Sequence, residues 1–217
     1  MKKVIVLTLI CCCSFFSCDT AKQILDTYGT SLPGSELSNA EIVSGLRDAL
    51  TVGTGRTTSQ LSAADGFFKD AVIKILMPEE AQKVESKLRS VGLGNVVDKA
   101  ILTMNRAAED AAKGAGTIFI NAAKQMTISD ALNILRGGDF AATNYFKSKT
   151  TNALADAFRP VIQNSLKNVN ATKYWNDVFS VYNQFSNTKI ETDLTTYVTS
   201  KAMDGIFYQL GLEEQKK

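Results

Sequence analysis

The chain has 217 residues, 45% hydrophobic and 21% charged, with 24 Lys+Arg, 22 Asp+Glu and no histidine. That length suits one domain with a sizeable core, and the composition is that of a globular rather than a disordered protein. The lack of His excludes Ser-His-Asp triads, Cys-His pairs and His-ligated zinc or iron sites. All four cysteines, Cys11, Cys12, Cys13 and Cys18, lie near the start. The body can therefore form neither an internal disulfide nor a thiolate metal cluster, and no metal or cofactor is expected. The formal charge of +2 comes from Lys2 and Lys3; without them, basic and acidic residues balance at 22 each. Scattered, balanced charge argues against nucleic acid as a partner, because phosphate binding needs a concentrated basic face.

Lys2 and Lys3 precede an apolar run, Val4 to Phe16, broken only by Thr8 and Ser14. The run is too short to span a bilayer, which takes about 20 residues, and fits the apolar region of a secretory signal. Ser17-Cys18 then places a small residue directly before a cysteine, which resembles the lipobox of a bacterial lipoprotein. The resemblance implies a signal peptide over 1–17, lipid on the Cys18 sulfur and a mature chain starting there. An ordinary cleaved signal or an uncut anchor is the alternative, and Cys13 is a weaker attachment point. Residues 18–37 read as a tether, with a short helical piece near Lys22 to Tyr28 and breaks at Gly29, Pro33 and Gly34. Asp19-Thr20-Ala21 resembles a short bacterial O-glycosylation motif, a match that chance explains equally well. Asn170-Ala171-Thr172 fits the N-glycosylation pattern, with no reason to expect its use in a bacterial lipoprotein.

From residue 38 the pattern is helical. Ser38-Asn39-Ala40-Glu41 is a capping box, followed by Ile42, Val43, Leu46, Ala49 and Leu50 at helical spacing to about Leu61, weakened by Gly53 and Gly55. Val72 to Met77 reads as a short extended segment or isolated strand lying across helices, bounded by Pro78. Pro78 and two glutamates suit a helix start, with Ala81, Val84, Leu88 and Val91 as its stripe and Gly92 and Gly94 as its end. Val96 to Ala112 forms an alanine-rich helix predicted to approach a neighbour closely. Gly114 and Gly116 interrupt it before a face of Ile118, Phe119, Ala122, Ala123 and Met126. Thr127, three before Asp130, is the predicted N-cap of a helix that Gly137-Gly138 stops. The longest helix is predicted from about Asp139 to Val169, kinked at Pro160, with Phe146, Leu154, Phe158, Val161, Ile162 and Leu166 along one side. A further helix holds Tyr174, Trp175, Val178, Val181, Tyr182 and Phe185, and a last one runs from about Asp193 into a charged tail. No alternating strand pattern and no fixed-period repeat occurs. The expected fold is all-α: one domain over 38–217, a bundle of about seven or eight helices with one extended piece near 72–77.

Candidate polar sites are few. Gly137-Gly138-Asp139 joins two helices, where glycine amides and a helix N-terminus could hold an anion; the structural alternative makes Gly137 a C-cap and Asp139 an N-cap. Arg106 and Glu109 share a helix face, as an internal ion pair, a polar-ligand site or a solvated pair. Tyr145 with Lys149, and Lys201 with Asp204 and Tyr208, lie at helical spacing. Asp139 and Asp204 could form an acid-base pair only if the fold joined them. Nothing matches a calcium loop. The aromatics Tyr174, Trp175, Tyr182 and Phe185 are expected in the core, or alternatively lining a groove for an apolar ligand or partner helix.

Several ordered blocks carry a wider resemblance. Gln125-Met126-Thr127-Ile128-Ser129-Asp130-Ala131, Ile134-Leu135-Arg136-Gly137-Gly138-Asp139 and Ala141-Ala142-Thr143-Asn144-Tyr145-Phe146 resemble the core signature of the domain of unknown function (DUF) 4197 family. Leu37-Ser38-Asn39, Met104-Asn105-Arg106-Ala107-Ala108-Glu109 and Lys201-Ala202-Met203-Asp204-Gly205-Ile206-Phe207 are similar to its other blocks. The resemblance covers about residues 37–212. It implies a helical bacterial envelope protein, often with a lipoprotein signal, and carries no catalytic or binding residues. The tail after Glu214 is shorter than in many members.

The expected function is therefore a non-enzymatic, lipid-anchored envelope module. Its anchor is Cys18, its domain lies in the periplasm or at the cell surface, with the outer membrane preferred, and it binds a partner protein or small ligand. The first rival is an envelope enzyme using carboxylate, Lys or Tyr chemistry around Asp139, Arg106, Lys149, Tyr145 and Asp204. It requires those side chains to converge in one cleft. The second is a carrier of apolar molecules, which requires an apolar cavity between helices.

Overall fold

The computed structural model describes residues 38–168, 171–185 and 193–216. The signal, lipobox, tether and both glycosylation asparagine and threonine, Asn170 and Thr20, lie outside them. The described residues are helical, without strands. In chain order the helices are α1 (Asn39–Ser62), a 3₁₀ turn (Glu79–Ala81), α2 (Gln82–Ser90), α3 (Gly94–Ala112), α4 (Ala115–Lys124), α5 (Ile128–Arg136), α6 (Ala141–Lys167), α7 (Ala171–Phe185) and α8 (Leu194–Glu214).

The longest helix, α6, shows why these residues fold as they do. Phe146, Thr150, Leu154, Phe158, Ile162 and Leu166 recur every four residues, and each is fully or almost fully buried. Each large apolar side chain removed from water stabilises the fold by roughly 1.5–3 kcal/mol. Val161, expected on this stripe, is instead exposed. Pro160 lies inside α6, where its missing N–H leaves the Asp156 carbonyl without its helical donor. Against α6 pack α8 and α3. Ala107, Ala108, Ala111 and Ala112 of α3 are all buried, the small side chains allowing the close helix approach that the sequence predicts. Phe119 of α4 meets Phe146 edge-to-face at 5.3 Å and Phe207 of α8 at 6.3 Å.

Helix α8 is wrapped nearly all round, with Leu194, Val198, Ala202, Gly205, Ile206, Phe207 and Leu210 buried. Asp193 caps its start by accepting the Thr195 amide at 2.9 Å. Its last residues, expected as a charged tail, are part of the helix and contribute to packing at Glu213 and Glu214. Helix α1 crosses α4, α8, α5 and α3. Thr127 is the N-cap of α5 as expected, and with Asp130 it goes further, forming a full capping box with both reciprocal hydrogen bonds present.

Two elements differ from expectation. Helix α2 buries no residue of its own; Val84 and Leu88 are half-buried and Val91 is exposed. The stripe was therefore legible, but only part of it reaches the core. Second, α6 begins at Ala141 with Phe140 as N-cap, in a left-handed conformation at φ 66°, rather than with Asp139. In that conformation the Phe140 ring lies on Gly211 of α8, where a Cβ would stand 3.0 Å from it. Gly137 does cap α5, as expected, with extended dihedrals. No helix among the described residues is long and apolar enough to cross a membrane.

Candidate functional site

The polar residues of α3 serve an internal task. Between α1 and the 3₁₀ turn the chain crosses the bundle over residues 63–78 without regular structure beyond turns. A buried, irregular backbone needs side-chain partners for its amides and carbonyls. Asn105, wholly buried on α3, supplies two of them: its Oδ1 accepts the Ile75 amide at 2.9 Å and its Nδ2 donates to the Ile75 carbonyl at 2.8 Å. This reciprocal pair is what a neighbouring strand would offer, but the isolated strand expected over 72–77 does not form: residues 71–73 make a turn, closed by the Lys74 amide on the Asp70 carbonyl at 3.0 Å, and 74–78 have no regular structure. One turn on, buried Glu109 accepts the Phe67 and Phe68 amides at 3.1 and 3.2 Å through Oε1. Its Oε2 accepts Arg106 at 2.5 Å, and Arg106 also bonds Asp65 at 2.7 Å. The Glu109 and Asp65 partners raise the Arg106 pKa, in that order of importance. Lys69 and then Arg106 hold Asp65 below the usual carboxylate range.

The second wall of this clamp is α8. Gly205 lets the crossing segment lie on the helix, since a Cβ there would stand 2.6 Å from the Phe67 ring. Gln209 donates to Asp70 at 2.7 Å, and the Tyr197 hydroxyl donates to the Leu76 carbonyl at 2.8 Å. Arg106 and Glu109 thus form an ion pair, between the expected internal and solvated alternatives: Glu109 is buried and bonded to backbone, while the Arg106 side chain is 41% exposed.

The Gly137-Gly138-Asp139 turn resolves in the same way. The N-terminus of α6 does hold an anion, and the anion is the protein's own. Glu214 accepts the Ala142 and Thr143 amides, each at 2.8 Å, and the Thr143 hydroxyl at 2.6 Å. Gly137 is required sterically, because a Cβ there would lie 2.5 Å from that of Ala141. Gly138 and Asp139 are exposed. The adjacent Glu213 is held below its usual pKa by Lys216 first and Arg56 next.

The remaining candidates separate. Tyr145 donates its hydroxyl to the Ala122 carbonyl at 2.9 Å, and burial, then Asp130, raises its pKa. Lys149 is exposed and lies 5.8 Å from the Tyr145 ring. Asp204 precedes Gly211, the seat of Phe140, by about two helical turns or roughly 10 Å of rise. Asp139 and Asp204 therefore sit at different levels of α8. Lys201, Asp204 and Tyr208 do share a surface, an open groove of about 860 Å³ between α8 and residues 72–79. All three are exposed and no hydrogen bond joins them. Among the described residues no group of three or more acidic or cysteine side chains is placed to hold a metal.

A third feature is apolar. A groove of about 540 Å³ opens between α2, α3 and α7, floored by Met104, Trp175, Phe179 and Leu194 and walled by Val84, Leu88, Val96 and Ala100. Trp175 and Phe179 are buried and packed together at 4.5 Å between ring centroids. Of the aromatics expected in the core or along a groove, Trp175 does both; the side chains of Tyr174, Tyr182 and Phe185 lie outside the described residues. Spacing marked Val84, Leu88 and Trp175 as apolar faces, but nothing in the sequence says that three such faces stop short of closing.

Residues 36–216 match the family described as protein of unknown function (DUF4197). The chain belongs to this family. No curated protein and no solved structure matches it. The matched span contains Asn105, Glu109 and Gly205, which hold the crossing segment, and Thr143 and Glu214, which meet at the start of α6.

Proposed function

We propose that this DUF4197 protein is a lipid-anchored bacterial envelope module that acts by binding an apolar small molecule in the α2–α3–α7 groove. One observation carries the binding half. Arg106, Glu109 and Tyr145 are engaged with the fold, while an apolar groove of about 540 Å³ is left open beside the protein's sole tryptophan. That volume falls in the range of about 300–1,000 Å³ usual for single-ligand sites. The enzyme alternative needs Asp139, Arg106, Lys149, Tyr145 and Asp204 in one cleft, and they occupy separate places. The anchoring half rests on Ser17-Cys18 after the apolar run, with residues 19–37 as tether and the helical domain in the periplasm or at the cell surface.

Two measurements test this. Titration with a neutral probe, 1-dodecanol, should change Trp175 emission saturably; an unchanged spectrum removes the groove as a ligand site. Mass spectrometry of the mature protein should find acyl groups on an N-terminal Cys18. An unmodified or different terminus removes the anchor.

A further inference from the structure

The charges at the groove select among apolar ligands. Its lining carries two ionic side chains, Glu85 of α2 and Lys99 of α3. Glu85 is already paired, accepting Arg89 Nε at 2.9 Å, and Arg89 in turn bonds Asp98 at 2.8 Å. Lys99 is exposed, and its ammonium has no hydrogen-bond or ion-pair partner among the described residues. Asn95, one helical turn before it on α3, also lines the groove, and its exposed amide is likewise unbonded. Thr103, one turn after, directs its hydroxyl to the Lys99 carbonyl at 2.9 Å and offers no free proton. The groove therefore presents two adjacent free donors, one of them cationic, and no free carboxylate. Residues four apart on a helix lie on one face, about 5–6 Å apart at Cβ, a separation that the two oxygens of one carboxylate can bridge.

The apolar part fits a tail. Val96, Ala100 and Met104 run along α3 beside the donors, and Trp175 and Leu194 form the far wall. The apolar surface also continues outward. Val96 is 59% exposed, and Val91 and Leu93 of the turn between α2 and α3 are 57% and 46% exposed. A hydrocarbon chain approaching along that turn meets apolar surface as far as the groove. Helix α2, which buries none of its residues, is the wall best able to shift around it.

We infer that the groove takes a long-chain fatty carboxylate, with its head group at Lys99 and Asn95 and its tail between α3 and Trp175. This rests on the groove reading above and adds the head-group chemistry. An alkyl amine would meet the like charge of an unpaired ammonium, with only the neutral Asn95 amide oxygen and the already paired Glu85 to accept from it. A neutral alcohol would keep the tail contacts and lose the charge-assisted bonds. Each two methylenes added to the tail should tighten binding about tenfold until the groove is full.

The test uses the full chain carrying Cys18→Ser, so that no acyl group of its own competes, and reads Trp175 emission below the micellar range of each probe. Dodecanoate should bind about five- to tenfold more tightly than 1-dodecanol, and dodecylamine more weakly than either. Lys99→Gln should abolish the preference for dodecanoate, its affinity falling to about that of 1-dodecanol; Lys99 is exposed, so the fold is not at risk. Ala100→Phe, which fills the groove, should weaken both probes. Equal affinities for dodecanoate and 1-dodecanol, unaltered by Lys99→Gln, would overturn the fatty-carboxylate inference and leave an apolar groove standing. No response to any probe, or full binding by Ala100→Phe, removes the groove reading and the inference together.

Discussion

The crossing segment at 65–78 and the helix that follows it, α2, are neighbours in sequence and opposites in how they are held. The first has no regular structure, yet Asn105, Glu109, Gln209 and Tyr197 each bond it from another element. The second is a regular helix with two half-buried apolar residues, and it packs chiefly on α3. Regularity is therefore a poor guide to rigidity here. A helix satisfies its own backbone and can rest loosely on a surface, whereas an irregular buried chain persists only where other side chains satisfy it. The buried polar side chains Asn105 and Glu109 belong to the firm region, and the open apolar surface belongs to the loose one.

That contrast breaks most readily at Glu109. Glu109→Ala orphans two backbone amides and uncouples Arg106, and should cost about 3 kcal/mol, lowering the melting temperature by roughly 10 °C in a thermal melt. Gly205→Ala adds a methyl against the Phe67 ring and should cost about 1–3 kcal/mol in urea unfolding. Glu214→Ala removes the acceptor at the start of α6 and should cost about 1–2 kcal/mol by the same measurement. Either substitution proving neutral would mean that the contact does not bear on the fold.

Acid should sharpen the comparison. The Asp65 carboxyl is held below its usual value, so its unfolded form binds protons more readily than its folded form. Its contribution is present above the ordinary carboxylate pKa of about 4 and is lost as pH falls through the lower folded value. Melting temperature should therefore drop between about pH 5 and 3, and by less in Asp65→Asn. An identical acid profile for the variant would remove Asp65 from the account. The smallest stability effect belongs to α2. Leu88→Ala should change unfolding by under about 1 kcal/mol while weakening 1-dodecanol binding severalfold. A large loss of stability would show that α2 is as firmly held as the crossing segment.

Local signals made the helices legible. The four-residue spacing of Phe146, Leu154, Phe158, Ile162 and Leu166, the Thr127 N-cap and the helix start near Asp193 rest on signals within one or two turns, and each is realised. The break in helix before Pro78 was also readable, though residues 71–73 form a turn where an extended piece over 72–77 was expected. The segment's partners were not, because Asn105 lies 30 residues away and Glu109 lies 41 and 42 from the amides it accepts. Glu214 reaches α6 across 71 and 72 residues. Such pairings have no period, so an anion site was readable at the α5–α6 turn without its occupant. The groove escaped for another reason. Spacing identifies an apolar face but not how completely its neighbours cover it, as exposed Val91 and Val96 show.

Hydrogen–deuterium exchange followed by peptide mass spectrometry tests the central contrast most directly. Peptides covering residues 65–78 should exchange slowly with or without dodecanoate. Those covering 82–90 should exchange fast in the free protein and slow several-fold when dodecanoate is added. Fast exchange over 65–78, or protection of 82–90 that dodecanoate leaves unchanged, would contradict the account.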